Sequence, residues 1–406
     1  MAISAAVNSD PNRLARRNAL ILSAAQALNG SAAPISIALG GLAGMYLLGA
    51  DKSWATVPVT SYNLGVALTA LPAAMLMRKI GRRLGFMSGS VVGMCGSLIS
   101  AYALYIGSFY LFCFGMVFSG AGGAFTQQFR FAAADEGEDS FKPKAISWVL
   151  AGGILAAVIG PQTASHFKDL FAPVQFAGAY FAGTFILFAG MLVLSQLKFT
   201  EPLQRDTVVD DTNTRPLAEI VMQPQFIVAL MCAIGAYALM SFVMTAAPLA
   251  MVACGISQEN AILGIQWHVL AMFGPSFFTG NLIARFGKKT IVATGFFLLI
   301  ACAIVAIQGQ ELWQFWVSLV LLGIGWNFGF IGATAMLTDT YTPAERNKTQ
   351  GINDFLLFGS VAFASMMSGQ TLNAFGWTML NWVAFPVVAI CLIGLTWLHL
   401  KSQKTA

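Results

Sequence analysis

Few side chains in this sequence can do chemistry away from water, and their spacing is informative. Gln266-Trp267-His268 interrupt one apolar run near its middle, Tyr62-Asn63 interrupt another, and Gln26 and Asn29 interrupt a third, one helical turn apart. An unpaired polar group in an apolar medium is costly, so such residues mark binding or ion-transfer sites. His268 is the one group near the middle of a run that titrates around neutrality, which makes it the candidate for proton coupling. A neutral histidine bonded to a neighbouring helix would leave the same trace in the sequence. No Asp or Glu lies at the middle of any run, so facilitated diffusion stays open. Gln127 and Arg130, three apart, would share a helix face and offer an amide and a guanidinium to an anionic or strongly polar ligand, unless Arg130 snorkels to the surface. Trp326-Asn327 would stack on and hydrogen-bond a planar ligand, or pack between helices.

The elements that position these residues follow from composition. Hydrophobic residues make up 57% of the chain and charged residues 10%, so polar groups cannot cover a water-facing surface and the chain must be solvated by a lipid bilayer. The net charge of +5 is explained by basic loops on one membrane side, and nucleic acid is not expected as a partner. Six cysteines, Cys95, Cys113, Cys232, Cys254, Cys302 and Cys391, lie scattered in or beside apolar runs, with neither a metal-ligand nor a disulfide spacing. No nucleophile-base pair, metal-ligand set or phosphate-binding loop is present, so no enzyme, no metal, no cofactor and no direct ATP drive are expected.

The first apolar run, Ala19 to about Leu48, is too long for a signal-peptide core. Further runs near 54–77, 84–103, 109–132, 146–165 and 176–197 precede a polar stretch, and runs near 226–250, 261–283, 290–307, 315–337, 352–371 and 379–400 follow it. Most approach the ~20 residues that cross a bilayer. The pattern predicts an all-α integral membrane protein of twelve transmembrane helices, with an N-terminal six-helix bundle over 1–197, a cytoplasmic linker over 198–223 and a C-terminal six-helix bundle over 224–406. With the amino terminus inside, all of the 22 basic residues except Lys52 and Lys168 fall on the inner side, which places both termini in the cytoplasm.

A short basic stretch occurs twice, as Arg78-Lys79-Ile80-Gly81-Arg82-Arg83 and as Arg285-Phe286-Gly287-Lys288-Lys289, each between two apolar runs. Tyr62 and His268 each stand 19 residues before the loop glycine of their own copy, which suggests one cavity lined by both halves. These hairpins resemble the loop motif Gly-x-Leu-x-Asp-Arg-x-Gly-Arg-Lys of the major facilitator superfamily of secondary transporters, found between helices 2 and 3 and between 8 and 9. The resemblance implies two pseudo-symmetric bundles working by alternating access. The motif's acidic position is Arg78 in the first copy and Ala284 in the second, while helix 11 begins Gln350-Gly-Ile-Asn-Asp354. Arg78 or Arg82 pairing with Asp354 is therefore the expected cytoplasmic gate, with Arg83, Arg285 and Lys288 beside it. Otherwise the arginines anchor the loop at the headgroups and Asp354 caps a helix. Gly152-Gly153 and Gly160-Pro161 resemble in part the helix 5 motif of the family's antiporters, or allow close helix packing.

The sequence thus points to a monomeric secondary transporter of the bacterial inner membrane, with protons as a coupling candidate. Uptake of a polar or aromatic nutrient, such as a riboflavin-like vitamin, is the first expectation. Efflux of amphipathic compounds is the alternative. A transporter-like receptor without flux of its own is the third.

Overall fold

A backbone that meets no water must satisfy its polar groups internally, and for apolar runs of this length the helix does so. The computed structural model describes residues 13–49, 52–135, 141–199, 215–342 and 345–404, and among these it holds helices and no strand. Most of the linker, 200–214, lies outside the described residues. The N-terminal half contains α1 (Arg13–Asn29), α2 (Ala32–Leu48), α3 (Val57–Ile80), α4 (Arg82–Tyr105), α5 (Phe109–Thr126), α6 (Phe129–Asp135), α7 (Lys142–Phe167) and α8 (Ala177–Leu194). After the short α9 (Leu217–Val221) come α10 (Pro224–Ala253), α11 (Gln258–Phe273), α12 (Ser276–Phe286), α13 (Lys288–Gln308), α14 (Leu312–Leu337), α15 (Arg346–Trp382) and α16 (Ala384–Lys404).

Ten helical stretches among the described residues are long and apolar enough to cross a membrane, and the bent pair α11–α12 adds one more. The last stretch, Lys348–Lys401, has 54 residues and would extend about 80 Å if straight, far more than a bilayer. Gly376, at φ 76°, divides it into two arms, which brings the spans to twelve.

Three expected spans are broken, each for a local reason. In the first, Pro34 has no N–H for the Gly30 carbonyl, and α1 closes with the Ser31 hydroxyl donating to Leu28 O at 2.6 Å. The fourth stops at Thr126 and resumes at Phe129, with Gln128 N bonding Phe125 O at 3.0 Å in a tightened turn. The eighth bends by 43° at Gly274-Pro275.

Both basic hairpins are one-residue turns. Gly81 at φ 83° and Gly287 at φ 86° each end one helix and start the next, a left-handed conformation that a side chain would strain. In the second copy Lys288 Nζ bonds Asp339 at the end of α14, at 2.6 Å. The C-terminal end of the linker is tied to the C-terminal half. Arg215 forms a two-point pair with Glu345, Nε to Oε1 at 2.9 Å and NH2 to Oε2 at 2.7 Å, and Lys348 Nζ bonds the Arg215 carbonyl at 2.6 Å. Hydrogen bonds from Arg215 and from the Thr342 N–H hold the Glu345 carboxyl well below the usual carboxylate range.

Candidate functional site

The two halves touch from mid-bundle to the end opposite the basic hairpins. There Lys168, after α7, bonds Glu259 on α11 at 2.5 Å, and Asp169 lies 3.4 Å from the same ammonium. Burial disfavours the charge on Lys168, but Glu259 and Asp169 outweigh it and raise the lysine above its ordinary value. Gln162 Nε2 donates to Gln266 Oε1 at 2.8 Å, and the Thr60 hydroxyl on α3 donates to Ser365 on α15 at 3.3 Å. Gly41 packs on Leu249, and one apolar core runs through both halves here, from Leu39 and Leu42 to Ile262 and Ile265. Towards the hairpins a second cluster, with Leu22, Phe86, Phe129 and Leu194, contains N-terminal residues only. Among the described residues, no buried apolar cluster joins the halves at the basic end as one does at the other.

Arg130 on α6 and Asp354 on α15 are both exposed in the parts of their helices nearer the basic end. The Asp354 carboxylate accepts from Asn353 Nδ2 at 3.0 Å. Arg130 also covers the Phe131 ring at 4.8 Å. Around Tyr237 stand Trp326 and Phe330 of α14 and Phe358 of α15, with ring centroids 5.3, 5.1 and 5.9 Å away in edge-to-face geometry. Trp326 and Phe330 are stacked at 5.2 Å. Trp326 is buried in this cluster while Tyr237, Phe330 and Phe358 are half-buried, and their accessible parts offer flat contact to a planar ligand.

Of the residues expected from sequence, Trp326 joins the ring cluster through Tyr237, and Tyr62 is buried on α3 against Gly120 and Gly123 of α5. Asn63 is half-buried on α3, one turn from Thr60, and Gln127 is exposed where α5 ends, so the break removes the common helix face expected for it and Arg130. His268 is a correction: it has no accessible surface, and its Nδ1 lies 2.8 Å from Leu319 O, in the wall between α11 and α14. A backbone carbonyl fixes its tautomer and offers no proton path. Trp267 points outward, about half exposed at 45%, across the helix from buried Ile265 and Val269. Gln266 is bound to Gln162 at the contact between halves.

Asn327 serves the bend of the eighth span. Its Nδ2 donates to Met272 O at 2.7 Å and to Ser276 Oγ at 2.8 Å, and its Oδ1 accepts from Thr279 at 2.6 Å. Asn29 is buried against Gly190 on α8, and Gln26 lies against Gly152 on α7. Gly160-Pro161 forms a groove for the break in the first span: a Cβ at Gly160 would stand 2.7 Å from Ser31 O and 2.8 Å from Pro34 Cβ. Arg82 lies over the Phe199 ring at 6.0 Å. Sequence reasoning missed Tyr237, Phe330 and Phe358. Phe330 was within reach of it, standing one turn from Trp326 on the same face.

Comparison with known proteins agrees with this architecture. The family model described as Major Facilitator Superfamily matches residues 19–276 and 269–406. A protein named Riboflavin transporter RfnT, from Brucella anthropi, is 48% identical over 392 residues, covering 97% of this chain and 98% of its own length. An uncharacterized MFS-type transporter of Bacillus subtilis, YddS, is 29% identical over 97% of this chain and 94% of its own. Among solved structures, a point mutant of the nucleoside transporter NupG superposes with a TM-score of 0.69 at 13% identity, over 93% of this chain and 98% of that one, a likeness of fold. With its twelve helical spans, its paired hairpins and two halves sharing a core at one end, this chain belongs to the Major Facilitator Superfamily and is a multi-pass membrane transporter rather than an enzyme.

Proposed function

We propose that this protein takes up a planar heteroaromatic nutrient of the riboflavin class across the bacterial inner membrane by alternating access. The observation that carries the proposal is the ring cluster of Tyr237, Trp326, Phe330 and Phe358, which gathers α10, α14 and α15 around flat aromatic surface. The relative named as a riboflavin transporter supports the choice of nutrient. The basic end, where α1 starts and α16 finishes, is taken as cytoplasmic on the distribution of Lys and Arg. The halves 1–197 and 224–406 rock about the site as bodies joined by 198–223, and the protein works as a monomer, since one chain supplies both walls. The basic hairpins, with Gly81 and Gly287 at their turns and Arg83, Arg285 and Lys288 beside them, close the cytoplasmic end in the opposite state. Proton transfer through His268 has no part in the scheme.

The test is uptake of radiolabelled riboflavin by proteoliposomes containing the purified protein, with Tyr237→Ala and Trp326→Ala as variants. Saturable uptake that falls at least about tenfold in both variants is expected, since stacking on one aromatic residue is worth ~1–3 kcal/mol. Uptake no greater than in empty liposomes, or uptake indifferent to both substitutions, would overturn the assignment. Accumulation of many unrelated amphipathic cations in inverted vesicles would instead establish efflux.

A further inference from the structure

At the second basic hairpin the ends of four helices enclose a pocket of about 340 Å³. Gln225 lines it from the start of α10, Lys288, Lys289 and Thr290 from the start of α13, Asp339 from just beyond α14, and His399 from near the end of α16. The acid in this lining is already compensated. Lys288 Nζ bonds both Asp339 oxygens, at 2.6 and 2.7 Å, and Gln225 Nε2 donates to Oδ2 at 3.3 Å. Lys289, Thr290 and His399 complete the wall, so the lining carries more positive charge than negative and is rich in donors. A phosphodiester, which is anionic and only accepts hydrogen bonds, is the group such a lining fits. The pocket lies at headgroup depth, because the span Lys288–Gln308 begins in it and the span Lys348–Lys401 ends two residues beyond His399. Away from the pocket the outward faces of both spans turn apolar. On α13 an exposed line runs from Thr290 through Thr294 to Phe297 and Ile304, and on α16 Ile393, Trp397 and Leu400 are exposed. Lys401 holds its ammonium 5.3 Å from the centre of the Trp397 ring, which places an aromatic residue and a cation together where a membrane interface collects them.

We propose that this pocket binds the phosphodiester headgroup of an anionic phospholipid, whose acyl chains lie along the outward faces of α13 and α16. A soluble phosphate would use the donors of the lining and leave the apolar line beneath them unused; the lipid uses both. A zwitterionic lipid offers the same phosphodiester but brings an ammonium among lysines, and that repulsion makes the site selective for the anionic headgroup. Basic pockets between spans at a cytoplasmic surface suit such headgroups on electrostatic grounds. The lining comes from the C-terminal half alone, so the site does not depend on what the carrier moves. A lipid seated there joins the ends of α10, α13, α14 and α16 to the headgroup layer as one body.

The experiment is native mass spectrometry of the delipidated full-length protein in detergent, titrated with phosphatidylglycerol, with phosphatidylethanolamine of the same acyl chains, and with inorganic phosphate. The native chain is expected to hold its first phosphatidylglycerol at least about tenfold more tightly than its first phosphatidylethanolamine. Lys289→Gln combined with His399→Gln should weaken that phosphatidylglycerol at least about fivefold, the share of one lysine near an anionic surface, and leave phosphatidylethanolamine as it was. Arg83→Gln, the matching loss of charge in the first hairpin, should leave the first phosphatidylglycerol in place. Thr290 is exposed, so Thr290→Trp crowds the mouth of the pocket without altering its charge and should weaken phosphatidylglycerol as much as the double variant does. Where the double variant melts lower than the native chain in lipid-free detergent, Thr290→Trp decides in its place. Equal affinity of the native chain for the two lipids would overturn the site, and so would an unchanged phosphatidylglycerol affinity in the pocket variants or an equal loss in Arg83→Gln. Displacement of the lipid by millimolar inorganic phosphate would assign the pocket to a soluble anion and overturn the lipid.

Discussion

Removing Lys168 should release the closed end. The Lys168–Glu259 pair joins α7 to α11 across the two halves at 2.5 Å, with side-chain exposures of 10% and 52%. Because Glu259 is half in solvent, Lys168→Met leaves it hydrated rather than buried without a partner, and the loss is that of a surface-type pair, about 1 kcal/mol. On an equilibrium between the state open at the basic end and its opposite, that is about a fivefold shift towards the opposite state. Leu249, which packs on Gly41 in the closed end, reports it. A cysteine placed at Leu249 in a chain freed of its native cysteines should react about five times faster with an impermeant maleimide when Lys168 is Met. The double reversal Lys168→Glu with Glu259→Lys should restore the slow rate. An unchanged labelling rate in Lys168→Met, or a double reversal that labels like the single variants, would show that the pair is not a latch.

Asn327→Ala removes three buried hydrogen bonds at the bend of the eighth span and should cost about 3 kcal/mol at ~1 kcal/mol each, read as a lower melting temperature, with Thr279→Val losing about a third of that. His268→Phe removes one bond to Leu319 O and should leave the pH profile of uptake where it was; a displaced profile would return His268 to proton coupling. Glu345 has its pKa lowered in the folded state, so between its folded and unfolded values the unfolded chain binds more protons and stability rises with pH. Its contribution is complete above the ordinary glutamate pKa and is lost on acidification. Glu345→Gln should therefore flatten the acid limb of a melting-temperature series without altering the neutral-pH dependence.

The spans were legible because length and apolar run decide them, and the hairpins were legible because Gly81 and Gly287 stand alone between basic residues. Facing was not. In a soluble helix the polar face names the outside, but here the lipid face and the packed faces are all apolar, so Trp267 and His268, one residue apart, could not be assigned to surface and wall. Trp326 and Asn327 divide in the same way, one to the ring cluster and one to the bend. The polar residues marked the right helices, yet a buried polar group is as often a repair for broken backbone as a ligand contact. Asn327 answers Pro275, a pairing that becomes visible only when α14 lies beside the bend.

The single-residue turns have a mechanical consequence. A glycine joining α3 to α4 leaves no slack, so the two helices tilt together as one stiff arm. From Thr60, bonded to Ser365 at the closed end, to Gly81 the arm is about 32 Å long. Pivoting by about 10° around that contact would carry the hairpin tip some 5–6 Å, roughly the rise of one helical turn. A displacement that barely strains a hydrogen bond at the fulcrum is thus large enough at the tip to admit or shut out a ring-sized solute.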